Sequence, residues 1–278
     1  MSVPTGPRVG FIGLGSQGAP MARRIVDAGF PTTLWARRAA TLEPFADTPA
    51  RLAGTPAELG AAVDILGVCV VDDAGVDSVL RGADGALATM TAGSVVMIHS
   101  TVHPSTCLRV QDDFPTLHIV DAPVSGGGHQ AAAGELLVMV GGSTEAVARC
   151  RPVLETFGAP VLHLGPLGAG QVAKVLNNTV FSAQLALAAE AFALAATLGL
   201  DRGSVARVLA DGSGRSYAAG IVAGMGYELE ALGPLAGELL AKDVGILADR
   251  SDLDGTALLA AADRALELMR VSRPTDPA

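Results

Sequence analysis

An α/β protein in two parts is the fold class this sequence predicts, and three observations carry it. Up to about residue 164, short apolar runs alternate with turns and helix-like stretches, the spacing of strands joined by helices. From Gly165 onward the pattern reads almost wholly helical. The hydrophobic fraction of 50% against 17% charged, with 34 glycines, suits an Ala/Gly/Val-rich α/β protein with a well-filled core. The expected division is 1–164 and 165–278, which is long enough for two ordinary domains.

Composition also excludes partners. A net charge of −9 is the wrong sign for a nucleic-acid footprint, and the basic pairs Arg23-Arg24 and Arg37-Arg38 are too short to form a basic tail. Cys69, Cys107 and Cys150 have no metal-ligand spacing, so no metal is expected and they read as buried thiols of a reducing compartment. The start, MSVPTGPR, lacks a charged segment followed by an apolar run and a cleavage site, so no signal peptide is expected. Val180 to Leu200 approaches membrane-spanning length, but Gln184 and Glu190 interrupt it and its small residues suit close helix packing. A soluble, cytoplasmic protein follows, with no membrane partner.

Arg8 to Ile12 is a short apolar run that breaks into Gly13-Leu14-Gly15-Ser16-Gln17-Gly18, and a helix pattern through Met21, Ile25 and Val26 ends at Gly29. Strand, G-x-G-x-x-G, helix is the pattern of a dinucleotide site. The first glycine allows the tight turn, the second lets a pyrophosphate approach the backbone, and the third lets the helix pack on the strand. The helix N-terminus then offers free N–H groups to the phosphates. The second strand is expected at Thr32 to Trp35, followed by Ala36-Arg37-Arg38. An NAD site usually has a carboxylate here for the ribose hydroxyls. Two guanidiniums favour a 2′-phosphate instead, so NADP is preferred and NAD remains possible.

Helix-like stretches at Thr55 to Ala62 and Ala74 to Arg81 alternate with strands at Ile65 to Val71 and Ser94 to Ile98. Val71-Asp72-Asp73 and His99-Ser100-Thr101 thus fall at strand C-terminal ends, where open parallel sheets bind ligands. Asp72 reads as a helix N-cap. His99 and His103 sit near a Ser/Thr/Pro turn and read as structural rather than catalytic, and Pro104 opens another helix. Between strands at Leu117 to Val120 and Leu136 to Val140, the run Ser125-Gly126-Gly127-Gly128 exposes a hydroxyl and unobstructed backbone N–H groups. Such a turn suits a small anion such as a carboxylate.

Gly165 to Asn178, GPLGAGQVAKVLNN, marks the seam between the two parts. Its glycines are flexible, and it opens a helix expected from Gln171 to Leu198, roughly 28 residues or about 40 Å. That helix carries Lys174 and, one turn later on the same face, Asn178. Seams between domains are preferred places for small-molecule sites. The helix is lined with alanines and needs cover from other helices, from a second subunit, or from both. Asp201 should cap the next helix, Ser204 to Ala210, and Gly212 to Tyr217 is a loop in which Arg215 or Tyr217 could touch substrate. A last helix is expected at Thr256 to Arg270.

With Gly13–Gly18, Asp121–Gly142, Gly165–Asn178 and Lys242-Asp243 in the same order, the chain resembles the β-hydroxyacid dehydrogenase family from about Arg8 to about Leu247. That group includes 3-hydroxyisobutyrate dehydrogenase and tartronate semialdehyde reductase. The resemblance implies an N-terminal Rossmann-type doubly wound sheet and an all-helical C-terminal domain joined by a long helix, in homodimers or homotetramers. It also implies hydride transfer between NADP or NAD and a small carboxylate-bearing hydroxyacid or semialdehyde. Carried over by motif, Lys174 resembles the catalytic lysine and Asn178 the asparagine that orients substrate. Ser125, Gly126 and Gly127 resemble the carboxylate-binding turn, and Lys242 the residue that closes the site. Ser100 and Thr101 match the segment beside the nicotinamide, and Arg37 the position linked to NADP use.

Three departures stand out. His129-Gln130-Ala131 replaces a second Gly-Ala, Leu235 replaces a frequent aromatic, and the tail is short. An imine reductase on the same scaffold is the alternative enzyme, although such enzymes usually lack the lysine. A non-catalytic dinucleotide-binding protein is the alternative from another class, and such relatives carry basic appendages and a lost lysine.

Overall fold

The computed structural model describes residues 6–249, 251–253 and 255–274; the first five residues, read above for a leader pattern, lie outside these. The chain separates into two compact units, residues 1–174 and 175–278.

In the first unit the sheet begins with β1 (Val9–Ile12), β2 (Thr32–Trp35), β3 (Arg51–Leu52), β4 (Ile65–Val68), β5 (Val95–Ile98) and β6 (His118–Asp121). These lie in the order β3-β2-β1-β4-β5-β6 and are all parallel, with Val9 opposite both Thr32 and Ile65. Every residue of β1, β4 and β5 is buried, as befits parallel strands covered on both faces. The side-chain period of two splits them. Val9, Phe11, Ile65, Val95 and Met97 pack with α1 (Gly18–Asp27) and α6 (Thr144–Leu154). Ile12, Leu66, Val68, Val96 and Ile98 pack with α2 (Pro56–Ala61), α3 (Asp73–Arg81) and α4 (Pro104–Asp113). This is a doubly wound sheet. Its strand order reverses between β2-β1 and β4, so β1 and β4 open their C-terminal ends onto the crevice such sheets use for ligands.

The sheet is longer and more mixed than a parallel reading allows. β8 (Leu136–Gly141) runs antiparallel to β6 and to the two-residue β7 (Val124–Ser125), and β9 (Gly158–Gly165) adds parallel to β8. Thr55, Asp72 and Ser143 cap α2, α3 and α6 through their side chains. Two expectations need correction. β4 stops at Val68, so Val71 lies beyond the strand and is 69% exposed. The Ser125–Gly128 run is not a plain turn: Ser125 ends β7, and α5 (Gly127–Ala133) starts inside the glycines.

The second unit is helical. It holds α7 (Ala169–Thr197) beyond its opening turns, α8 (Arg202–Asp211), α9 (Tyr217–Gly224), α10 (Glu238–Ala248) and α11 (Ala257–Leu268). Its core joins Leu185, Ala189 and Phe192 of α7 to Val222 of α9, Val244 and Leu247 of α10, and Ala262 and Leu266 of α11. Asp201, Ser216 and Thr256 cap α8, α9 and α11. A π-helical turn, Gly233–Gly237, leads into α10. α7 is long and apolar enough to cross a membrane by length and composition, and half of its most apolar window is buried. Leu187 and Leu194 stay 60% exposed on it.

Candidate active site

The glycine-rich turn after β1 is held by sterics. Gly13 has φ +97°, and a Cβ there would drive into the Cys69 carbonyl at the end of β4; a Cβ on Gly18 would meet the Gly13 carbonyl. Gly15 differs: apart from its chain neighbours, no atom of the described residues stands within 4 Å of where its Cβ would be. That open side is what a pyrophosphate needs to reach the backbone. Leu14 is buried, while Gly15 and Ser16 are exposed and Gln17 is half-buried. Gln17 caps α1 without a side-chain hydrogen bond, and no acidic residue lies in the first turn. Within α1 the Ala19 N–H donates to the Gly15 carbonyl, Pro20 has no N–H and the Met21 N–H donates to the Gln17 carbonyl. The donors an anion would use are therefore those of the glycine turn leading into the helix.

Arg37 and Arg38 follow β2, exposed, with no ion pair between either guanidinium and a carboxylate of the described residues. The Ser125 run comes close to the glycine turn after β1: a Cβ on Gly128 would press on the Ser16 carbonyl. Gly126 and Gly127 take φ +137° and +72°, which only glycine adopts readily, and both are exposed. No side chain caps α5. His129 and Gln130 lie on the exposed side of α5.

The opening of α7 is pinned by two residues that sequence reasoning passed over. Asp121, at the end of β6, is fully buried, and its two oxygens accept from the Gly168 and Gln171 N–H groups at 2.7 Å each. Burial pushes its carboxyl up, opposed by those backbone donors. Gly141 and Gly170 pack against this carboxylate where a Cβ would not fit. Gln171 is also fully buried. Its Nε2 donates to the Ser100 carbonyl at 2.8 Å, and its Oε1 accepts from the Val102 N–H at 3.1 Å. Ser100 Oγ in turn accepts from the Val70 N–H at 2.8 Å. Lys174 lies one turn beyond Gln171 and is 9% exposed.

In the helical unit, Asn178 and Lys242 meet at a third residue, Asp243, whose carboxylate is 4% exposed. Asn178 Nδ2 donates to Asp243 Oδ2 at 2.6 Å, and the Lys242 Nζ forms an ion pair with Oδ1 at 2.9 Å. Asn177 Nδ2 donates to Asn178 Oδ1 at 3.0 Å. Leu235 is 70% exposed and lines a groove of about 470 Å³ with Leu239, Met269 and Val271. Tyr217 is exposed at the start of α9, its ring 5.9 Å from that of Phe181.

His99 and His103 are tied into the backbone, and the cysteines are free thiols. His99 is buried, its Nδ1–H donating to the Ala122 carbonyl at 2.8 Å, and burial lowers it to about 4. His103 caps α4, its Nδ1 accepting from the Ser105 N–H at 3.1 Å. Desolvation pushes the Cys69 and Cys150 thiols up to about 12, far from thiolate.

Residues 8–165, more than half the chain, match the family model for the NAD binding domain of 6-phosphogluconate dehydrogenase. Residues 168–272 match the NAD-binding model of NADP-dependent 3-hydroxyisobutyrate dehydrogenase. The mitochondrial 3-hydroxyisobutyrate dehydrogenase of Mus musculus is 32% identical over 260 residues, covering 90% of this chain and 78% of its own. A solved structure of the Mycobacterium tuberculosis 3-hydroxyisobutyrate dehydrogenase with L-serine is 28% identical with a TM-score of 0.82, covering 96% of this chain and 94% of its own. A reductive aminase from Aspergillus terreus, 20% identical with a TM-score of 0.62 and covering 97% of each chain, shares the fold alone.

Proposed function

This chain belongs to the β-hydroxyacid dehydrogenase family and is an NAD(P)-dependent oxidoreductase of small hydroxyacids, and from that premise we propose that it interconverts a β-hydroxyacid and its semialdehyde with Lys174 as general acid/base. The observation that carries the proposal is a nearly buried lysine one turn into a helix whose N-terminus is locked to the strand ends around the glycine turn.

The residues present fit a dinucleotide: Gly15 leaves space, Gly13 and Gly18 force the turn, and no side chain caps α1. We assign Leu14, Ser16 and Gln17 to the pyrophosphate turn, and Val71, Ser100 and Thr101 to the nicotinamide half. NADP is the preferred cofactor on the strength of Arg37 and Arg38, which have no carboxylate partner among the described residues and present fork geometry to a 2′-phosphate. When bound, NADP supplies the hydride acceptor or donor.

Lys174 takes the hydroxyl proton in oxidation and returns it to the oxygen in reduction. Ser125 and the N–H groups of Gly126 and Gly127 hold the substrate carboxylate, which fixes its distance from the reacting carbon. Asn178 keeps a second Nδ2–H beyond the one given to Asp243, and this donates to the substrate oxygen. An uncharged carboxamide does so without neutralising the lysine. Lys242, beside Asp243, is assigned to substrate binding. The helical part from 165 onward is assigned to substrate and assembly. The uncovered leucines of α7 support a homodimer or homotetramer, and three free cysteines support a reducing compartment, the cytoplasm.

A screen at 340 nm of NADPH and NADH against small semialdehydes and 3-hydroxyacids tests the reading. Turnover with NADPH on a three- or four-carbon semialdehyde acid is expected. Absence of turnover across the panel contradicts the proposal, and a large preference for NADH contradicts the arginine assignment.

A further inference from the structure

Resting on the dehydrogenase reading, we propose that Gln171 is a positioning residue for hydride transfer, one that sets the cofactor-side segment Ser100–Val102 in register with the helix bearing Lys174. The carboxamide of Gln171 is the link. Its Nε2–H bonds the carbonyl of Ser100 and its Oε1 accepts the N–H of Val102, so one side chain holds the peptide groups on both sides of Thr101. The same residue gives its backbone N–H to Asp121 Oδ2, while Gly168 gives its own to Oδ1. The first turn of α7 is thereby fixed to the end of β6, and the loop after β5 is fixed to that turn. Ser100 Oγ extends the chain to the Val70 N–H beyond β4.

The consequence is geometric. Lys174 follows Gln171 by three residues, about 4.5 Å of helix rise. From the backbone of Thr101 to the helix turn of Lys174 there is one fully buried side chain and no flexible loop. Hydride transfer needs the reacting atoms close and aligned, and misplacement by about 1 Å can cost about 100-fold in rate. A carboxamide suits this task because it donates and accepts at once. An apolar side chain of the same length fills the space and makes neither bond.

The test uses the full-length protein in two forms. In cofactor-free protein, amide hydrogen exchange at Val102 reads the clamp itself; Gln171→Met is expected to abolish protection there. With cofactor and substrate, the same variant is expected to lose at least about tenfold in kcat, with KM for NADPH within about twofold. Its deuterium isotope effect from C4-labelled cofactor should rise, as the hydride step becomes limiting. Gln171→Glu serves as the conservative variant, and as the fallback if Gln171→Met fails to fold. A buried carboxyl beside the Asp121 charge titrates well above its ordinary range. Once protonated it can donate to Ser100 and accept from Val102, so the ratio of its kcat to that of the wild type should recover as pH falls.

Loss of Val102 protection with unchanged kcat and isotope effect would reduce Gln171 to a satisfied core residue and overturn the proposal. So would a Gln171→Glu ratio that stays low and flat as pH falls. Wild-type protein without turnover would instead sink the dehydrogenase reading on which the proposal rests.

Discussion

Lowering the pH should cost the fold about 3 kcal/mol through one side chain, His99. Its ring lies parallel to Phe11 at 5.8 Å and edge-on to Phe157 at 5.5 Å, and it is 3% exposed. Nδ1–H is spent on the Ala122 carbonyl, and Nε2 has no hydrogen-bond partner among the described residues. A proton on Nε2 would be a buried, unsolvated charge, which is why the ring is lowered from 6.5 to about 4. Between those values the unfolded chain binds a proton that the folded chain refuses. Stability from this group is therefore complete above about pH 6.5 and lost as pH falls toward about 4. About 2.5 pKa units at 1.36 kcal/mol each give roughly 3 kcal/mol, most of it gone by about pH 4.5.

Urea unfolding of the wild type and of His99→Phe at about pH 7.5 and about pH 4.5 isolates the effect. The variant leaves the Ala122 carbonyl without its donor, a cost of about 1–3 kcal/mol at every pH. The carboxylates common to both proteins cancel in the difference. The gap between wild type and variant should shrink or reverse by about 2–3 kcal/mol on acidification. A gap that moves by less than about 1 kcal/mol would refute the account of a neutral, solvent-excluded imidazole.

Three further outcomes follow from the site geometry. Gly13→Ala combines a positive φ with a clash on the Cys69 carbonyl. It should destabilise by more than about 1 kcal/mol and weaken NADPH binding, read by thermal melts and fluorescence titration. Replacing Arg37 and Arg38 together with alanine should raise KM for NADPH by about tenfold or more and leave NADH nearly unchanged, because only the 2′-phosphate loses its charge-assisted hydrogen bonds. Asp243→Ala removes the acceptor that fixes the Asn178 amide. It should lower kcat/KM by about tenfold or more, with a stability loss of about 1–3 kcal/mol.

The parts of the molecule that could be read from the sequence are those where backbone geometry leaves one residue type no substitute. The Gly13–Gly18 turn needs glycine for steric reasons, and the fully buried β1, β4 and β5 read as apolar runs. Helix starts were legible where a capping side chain stood at the right offset, as at Asp72 and Asp201. β3 was hidden because its two residues are exposed and carry no apolar pattern, and β9 because five of its eight residues face out. The Ser125 run looked like a loop because three glycines have no periodicity, yet α5 begins among them. The bonding roles of Asp121, Gln171 and Asp243 could not be read for a different reason. Burial of a polar side chain depends on donors and acceptors far away in sequence: Gln171 and Ser100 are 71 residues apart, and Asn178 and Asp243 are 65.

The central claim concerns the proton, and Lys174→Ala tests it most directly. With kcat followed at 340 nm and NADPH affinity by fluorescence, the variant is expected to lose about 100- to 10,000-fold in kcat while cofactor affinity stays within about twofold. Near-normal turnover by Lys174→Ala would contradict the account and leave Lys174 a lysine buried only for packing.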